Sequence, residues 1–457
     1  MEDIMNVKSM VDSYRDELVS RLGKLVAVPS VEGEALPDAP FGAGPRDVLK
    51  AALEMMEKDG FKTVNLDNYI GYAEMGEGEQ VIGVVGHLDV VPVVKEDWKT
   101  DPFTMVEKDG VLYGRGVSDD KGAVVASMIA MKVLRDMNVP MTRRIRLIMG
   151  TNEETGSQGL KYYVQHEGDV DYGFTPDGDF PAINGEKGMV GGVYRSKNTK
   201  LIDVEGGTAG NIVCSKVTAR IAKNSYSPKK LGDYFNNANL NYTVTEGEND
   251  DTIIVIGKAA HASTPEMGKN AISYLFMALQ NAGFQDPFVD FYCSHFGLNT
   301  DGDGLGCKCS DEYGALTLNN GVIHMKDGVV EGTIDIRFPV TMCSKQILKM
   351  IEEHAEDEGG AVEMHKGVEP LFFAPDSPLV TSLVSAYREV TGDNETQPMV
   401  IGGGTYAKGI RNTIAFGCAF PNQDYHIHDA DEWVTVDELL KQAEIYVAGI
   451  QKLLEIQ

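Results

Sequence analysis

The stretch Val81-Ile82-Gly83-Val84-Val85-Gly86-His87-Leu88-Asp89-Val90-Val91-Pro92 decides how the rest of the chain is read. Its first five residues form an uncharged apolar run, the pattern of a strand. The run ends on an imidazole and a carboxylate two residues apart, which in an extended chain project to the same face. A metal ligand and its orienting partner fit that spacing, and so does a hydrogen-bonded structural histidine.

Strand-like runs recur outward from this point at 145–149 and 172–175, with a long helical run over 123–137 lying between 81–85 and 145–149. Upstream, an amphipathic pattern over 10–26 ends at the Pro29-Ser30 breaker, and a second helix is expected over 48–58. Strands alternating with helices predict a doubly wound α/β sheet, whose ligands gather beyond the carboxyl ends of the strands. After Glu186 the texture changes to alternating segments at 252–256 and 333–338, with helices around 270–282 and 344–356, which predicts an α+β insertion. From Pro375 the helix-and-strand pattern returns: a helix over 379–391, strands near 398–401 and 412–415, and a last helix from Val436 with Thr435 and Glu438 at capping-box spacing. The expected organisation is therefore a discontinuous α/β domain, residues 1–185 and 375–457, interrupted by an inserted domain at 186–374.

A net charge of −28, from 69 acidic and 41 basic residues, argues against a polyanionic partner and against anionic lipid. Neither a nucleic acid nor a membrane is expected as a partner. Met1-Glu2-Asp3-Ile4-Met5 has neither the basic start nor the apolar core of a signal peptide, and no apolar run approaches the roughly 20 residues of a membrane span. The scattered cysteines include only one close pair, Cys307 and Cys309, too few for a four-cysteine zinc site. These features predict a cytoplasmic protein with reduced thiols.

Ionisable groups follow the predicted strand ends in succession. His87 and Asp89 come first, then Asp119-Asp120 within Gly114-Arg115-Gly116-Val117-Ser118-Asp119-Asp120-Lys121-Gly122, then Glu153-Glu154, then Asp177 in Thr175-Pro176-Asp177-Gly178. Near the C-terminus stands Tyr425-His426-Ile427-His428-Asp429-Ala430-Asp431-Glu432. Taken singly, Asp119-Asp120 suits a helix cap and Glu153-Glu154 suits a helix N-terminus. Jointly they bring too many carboxylates to one end of a sheet, and burying them unpaired is expensive, so divalent cations are the simplest counter-charge. A mixed imidazole and carboxylate set suits zinc, with cobalt or manganese as substitutes.

These motifs resemble the aminoacylase/carnosinase superfamily of cocatalytic zinc metallopeptidases, and most closely its bacterial dipeptidase branch of the PepV type. The resemblance runs through Gly-His-Leu-Asp-Val-Val-Pro, Ser-Asp-Asp-Lys-Gly, Glu-Glu-Thr-Gly-Ser, Thr-Pro-Asp and the terminal His-x-x-x-Glu. It implies that the α/β domain is catalytic and the insertion a lid. It implies two zinc ions bridged by Asp119, with His87 and Asp177 completing one site and Glu154 and His428 the other. Asp89 would orient the His87 ring, Glu153 would be the general base, and the Asp119-Asp120 peptide would be cis. His428 is preferred to His426 because only His428 has the glutamate four residues on, Glu432. In the insertion, His261 of Gly257-Lys258-Ala259-Ala260-His261 matches the lid histidine that polarises the scissile carbonyl. Arg337 of Asp335-Ile336-Arg337-Phe338-Pro339 matches the arginine that takes the substrate carboxylate. Asn211 matches a lid asparagine near the substrate, with Gly210 where a proline is common. Gly402-Gly403-Gly404-Thr405 resembles a carboxylate-binding loop, which makes Gly403, Gly404 and Thr405 substrate contacts.

Other patterns carry less. Asp301, Asp303, Gly306 and Glu312 fall on a calcium-loop spacing, but Leu305 occupies a ligand position. The triple glycine lacks the Lys-Ser/Thr ending of a P-loop, and Gly114-Arg115-Gly116 lacks the later glycine of a dinucleotide fingerprint. The expected function is a dizinc hydrolase of dipeptides and other short peptides. An N-acyl amino acid deacylase or desuccinylase shares all the metal ligands, and a silent metal- or peptide-binding protein is the rival from another class. By the same resemblance the long insertion implies a monomer, with a homodimer as the alternative.

Overall fold

The strand Val81–His87 is buried along its whole length. Its side chains alternate: Ile82 and Val84 join one hydrophobic cluster, and Val81 and Val85 join another on the opposite face. The first cluster is closed by the helices Lys121–Asp136 and Val436–Glu455 through residues such as Val124, Met128, Leu439 and Ala443. The second is closed by Leu160 and Tyr163 of the helix Gln158–Glu167 and by Tyr406 and Ile410. Helices on both faces explain why the strand carries no polar alternation.

The computed structural model describes residues 2–354 and 356–456. Two compact units are present. Unit 1 holds the chain up to Asn184, Phe373–Met399 and the chain from Gly404 onward; unit 2 holds Gly185–Phe372 and Val400–Gly403.

In unit 1 the central strands are parallel. Val81–His87 pairs with Arg144–Gly150 on one side and Tyr172–Thr175 on the other, and Tyr172–Thr175 pairs with Thr413–Ala415. Antiparallel strands Lys62–Leu66 and Ile70–Met75 extend the sheet beyond Arg144–Gly150. Register aligns the ends that matter: His87 lies opposite Gly150, and Val84 opposite both Leu147 and Phe174. Loops leaving these strands therefore start at one level. Gly86 lets the next helix come close, because a Cβ there would stand 2.6 Å from Val124 Cγ2 and 2.8 Å from Asp120 Oδ2. The capping box of the last helix forms, with Glu438 N donating to Thr435 Oγ1 at 3.1 Å and Thr435 N to Glu438 Oε2 at 3.0 Å.

Unit 2 is an antiparallel sheet with helices on one face. Its longest strands, Gly188–Ser196 and Val329–Phe338, alternate buried and half-buried residues as a one-sided sheet requires. The helices Pro228–Asn237, Ala271–Asn281, Pro287–His295 and Ser344–Glu352 cover the buried side, through Leu231, Phe276, Phe288 and Ile347 among others. Thus the fold is α/β with an inserted α+β unit, as the residue pattern predicts.

Local boundaries differ in informative ways. The amphipathic pattern over 10–26 is two helices, Glu2–Ser13 and Arg15–Val26, parted at Tyr14. The helix expected over 344–356 stops at Glu352, and the chain turns into the hairpin Glu356–Asp357 and Gly360–Met364 at the following glycines. Residues 400–403, read in sequence as part of the C-terminal segment, pack with unit 2.

Two substitutions separate the forces at work. Thr435→Ala removes a cap and should cost about 1 kcal/mol. Gly86→Ala forces a methyl into a filled space and should cost about 1–3 kcal/mol. Thermal melts should rank Gly86→Ala below Thr435→Ala; the reverse order would contradict the close approach.

Candidate metal centre

Unit 1 gathers the predicted ligands at the aligned strand ends. His87 is buried at the tip of its strand, with Nε2 3.0 Å from Asp119 Oδ1 and 3.9 Å from Asp177 Oδ2. His428 is half-exposed, and its Nε2 lies 3.0 Å from both Asp119 Oδ2 and Glu154 Oε1. The result is two ligand groups, His87–Asp119–Asp177 and Asp119–Glu154–His428, each with its donor atoms within 4.8 Å of one another. Asp119 belongs to both, one oxygen facing each histidine. The peptide bond between Asp119 and Asp120 is cis. His426, exposed and with its amide on Asp424 Oδ1, is in neither group.

The supporting contacts are also specific. Asp89 spends its carboxylate on the backbone, accepting from Glu153 N and Glu154 N at 3.1 Å each. Its carbonyl oxygen lies 3.1 Å from His87 Nδ1, nearer than its carboxylate at 3.5 Å. The ring is thus oriented chiefly by Asp89's main chain, while its side chain sets the Glu153-Glu154 turn. Asp120 turns inward, where Oδ2 accepts from His87 N at 3.0 Å. Buried Lys121 donates to the carbonyls of Leu25 and Val28 at 3.0 Å each, and burial pushes its ammonium down to about 7. Glu432 is wholly buried against the backbone before Asp119. Arg115, Asp120 and Lys121 carry no assigned role in the sequence reading, although they flank Asp119 in the same glycine-rich segment.

Charge in this corner is unbalanced. Burial, then Asp177, Glu154 and Asp89, hold the Glu153 carboxyl well above the usual carboxylate range against the opposing pull of His87. Burial likewise raises Asp120, with Asp177 and Asp119 adding to it. Burial works to lower both histidines, but contacts with Asp119 and Asp89 raise His87, and contacts with Asp119 and Glu154 push His428 up to about 10. The surrounding carboxylates thus favour added positive charge at this corner. Two imidazoles and three carboxylates at these separations fit a pair of divalent cations sharing one carboxylate.

The remaining candidates belong to unit 2, apart from Gly404 and Thr405. His261 is exposed; Ser263 N donates to its Nδ1 at 3.2 Å, and Ser263 Oγ is 2.7 Å from the same nitrogen. Arg337 is buried and largely committed, with Nε and Nη2 on the Asp335 carboxylate at 2.6 and 2.8 Å and Nη1 on Gly402 O at 3.2 Å. Asn211 is exposed, and its carbonyl accepts from Ala262 N at 2.9 Å. Gly403 belongs to unit 2, whereas Gly404 and Thr405 belong to unit 1, where Thr405 Oγ1 accepts from Ala407 N at 3.1 Å. In the calcium-like segment, Asp301 is paired with Lys308 at 2.6 Å.

Residues 83–452 match the sequence pattern of Peptidase family M20/M25/M40. The chain belongs to this family. It is 35% identical to "Putative dipeptidase YtjP" of Bacillus subtilis (strain 168), over 98% of this chain and 100% of that one. SH1171 of Staphylococcus haemolyticus (strain JCSC1435), described in the same words, is 32% identical over 98% of this chain and 99% of its own. Among solved structures, human carnosine dipeptidase 1 matches with TM-score 0.60 and 17% identity, covering 99% of each chain. The dipeptidase Dug1p of Saccharomyces cerevisiae matches with TM-score 0.59 and 16% identity, again over 99% of each. The protein is therefore an M20 metallopeptidase by family, with the fold of those structures. No helix among the described residues is long and apolar enough to cross a membrane.

Coordination requires neutral imidazoles, whereas the carboxylates around His87 and His428 favour their protonated forms in the metal-free protein. Zinc binding to the metal-free protein should release about one proton or more per chain. Calorimetric heats at pH 7 should then vary with the buffer's ionisation enthalpy; buffer-independent heats would contradict the raised values.

Proposed function

We propose that this protein is a dizinc dipeptidase, removing the amino-terminal residue from dipeptides and other short peptides. The observation that carries the reading is the pair of ligand groups joined through Asp119. In it His87, Asp119 and Asp177 hold one ion and Asp119, Glu154 and His428 the other, with cobalt or manganese as substitutes. Bound cations would acidify a water molecule and polarise the scissile carbonyl.

The chain's own groups move the protons. Glu153 stands beside the ligands on a backbone that Asp89 fixes. Its carboxylate takes a proton from the attacking water as the oxygen bonds to the carbonyl carbon. It returns that proton to the amine nitrogen as the C–N bond breaks. One carboxylate can serve both steps, because the proton it accepts from water is the one it hands on to the leaving nitrogen. By family resemblance His261 is assigned the carbonyl oxygen, Asn211 a substrate contact, and Arg337 with Gly403, Gly404 and Thr405 the substrate's carboxylate. The pairing of Arg337 with Asp335 shifts the weight of that last task toward backbone amides. A monomer in the cytoplasm completes the reading, and six free cysteines agree with a reducing compartment.

Glu153→Gln should lower kcat by about 10²–10⁴-fold with zinc content unchanged. Full activity in that variant would remove the general base. A free dipeptide should turn over faster than its N-acetylated counterpart; preference for the blocked form would instead identify a deacylase. Sedimentation should show an active monomer, and activity confined to a dimer would refute that part.

A further inference from the structure

Glu432 lies outside both ligand groups, yet it makes more hydrogen bonds to the Asp119 segment than any ligand does. Its Oε2 accepts from Arg115 Nη1 at 2.8 Å and Gly116 N at 2.9 Å. Its Oε1 accepts from Ser118 N at 2.8 Å and Asp119 N at 3.1 Å. The main chain adds two links between the same segments: Gly114 N donates to Glu432 O at 3.1 Å, and Arg115 Nη2 to Asp429 O at 3.0 Å. One carboxylate and one guanidinium thus join the loop that ends in Asp119 to the loop that carries His428.

That second loop is pinned at its edges, by Trp433 N on Tyr425 O at 3.2 Å and by Lys99 N on Asp431 Oδ1 at 2.9 Å, but Glu432 and Asp429 O are what tie it to the Asp119 segment. His426, His428 and Asp431 all have left-handed backbones, with φ of 56°, 66° and 58°, a conformation disfavoured for non-glycine residues. Regular structure resumes only at Trp433–Thr435, which pairs with Val111–Tyr113. Electrostatics alone would not put a second buried carboxylate beside Asp119, because like charges repel. What the arrangement gains is geometry: Asp119 Oδ2 meets His428 Nε2 at 3.0 Å across two segments far apart in sequence.

We propose that Glu432, held by Arg115, is a positioning residue that fixes Asp119 against His428 and so sets the cation affinity of the Asp119–Glu154–His428 group. This rests on the ligand assignment in the proposed function. Outer groups that orient metal ligands typically contribute about 10–100-fold to affinity. Glu432→Gln replaces one acceptor oxygen by an NH₂ that faces two donors, so it breaks one side of the link while keeping the side chain's shape.

The test is a cobalt(II) titration of metal-depleted protein followed by visible absorption, with no peptide present. Wild type should bind two equivalents; in Glu432→Gln one of them should weaken about 10–100-fold and its spectrum change, while the other is retained. Glu74→Gln is the control for stability alone, since Glu74 is a buried carboxylate on Arg146, at 2.8 Å from Nε, within the sheet. It should lower the melting temperature without changing either cobalt affinity. Two unaltered affinities in Glu432→Gln, or the same loss in Glu74→Gln, would overturn the inference and leave the ligand assignment standing. Wild type that binds no cobalt would overturn both. If Glu432→Gln does not fold, Arg115→Lys serves, because a single ammonium cannot replace the guanidinium's links to both Glu432 and Asp429; an isotherm like wild type's would be decisive against the proposal.

Discussion

Asp119 presents its two carboxylate oxygens to two histidines on different segments, and unit 1 is arranged around keeping that contact. A buried carboxylate between imidazoles is tolerable only while positive charge remains close. Near it stand Asp89, Asp120, Asp177, Glu153, Glu154 and Glu432, and the cations at hand are few: Arg115 is committed to Glu432 and Lys121 to the carbonyls of Leu25 and Val28. The protein meets part of the deficit with backbone N–H groups, which supply partial positive charge without a counter-ion of their own. Asp89 takes two of these and Glu432 three. The remainder falls on the atoms that converge in the two ligand groups.

The sheet makes this possible through register. Parallel pairing sets His87 level with Gly150, and Asp177 follows Thr175, whose neighbour Phe174 pairs beside Val84. Loops leaving adjacent parallel strands at one height emerge into the same space, so residues widely separated in sequence need only short reaches. Small residues then admit close neighbours. Gly150 is one case: a Cβ there would meet Tyr406 Oη at 2.0 Å, so the strand end can lie directly on that ring.

Much of this was legible because buried parallel strands leave a strong signature. The run 81–85 is uncharged and apolar, the helix after Asp120 is apolar over 123–131 but for Ser127, and the edges of both coincide with the charged motifs. The helices Pro228–Asn237 and Pro287–His295 escaped the hydrophobic pattern because they are short, yet both carry a start signal. Ser227 and Asp286 accept at their N-caps, and each is followed by proline at the first helical position. A second use of Asp89, beyond its place beside the His87 ring, was hidden for a different reason. A His-x-Asp spacing shows that two side chains share a face, but not that a loop some sixty residues later offers two amides to that carboxylate. Arg337 is similar: the neighbouring Asp335 on the same strand face is plain in sequence, while the link to Gly402 O depends on the chain's return at 400–403.

That return bears on His261. Ser263 N–H is an obligatory donor, so its hydrogen bond to His261 Nδ1 requires that nitrogen to accept. A neutral ring so held carries its proton on Nε2, the form that can donate to a carbonyl oxygen. Ser263 is itself hemmed in by the returning segment, where a Cβ on Gly402 would lie 2.4 Å from Ser263 Cβ. Gly402 is held by Arg337, and Arg337 by Asp335. A line of contacts within unit 2 therefore runs from an ion pair on a central strand to the tautomer of an exposed histidine. The buried arginine is thus joined to the histidine's loop through Gly402 and Ser263, by packing and hydrogen bonds within one unit.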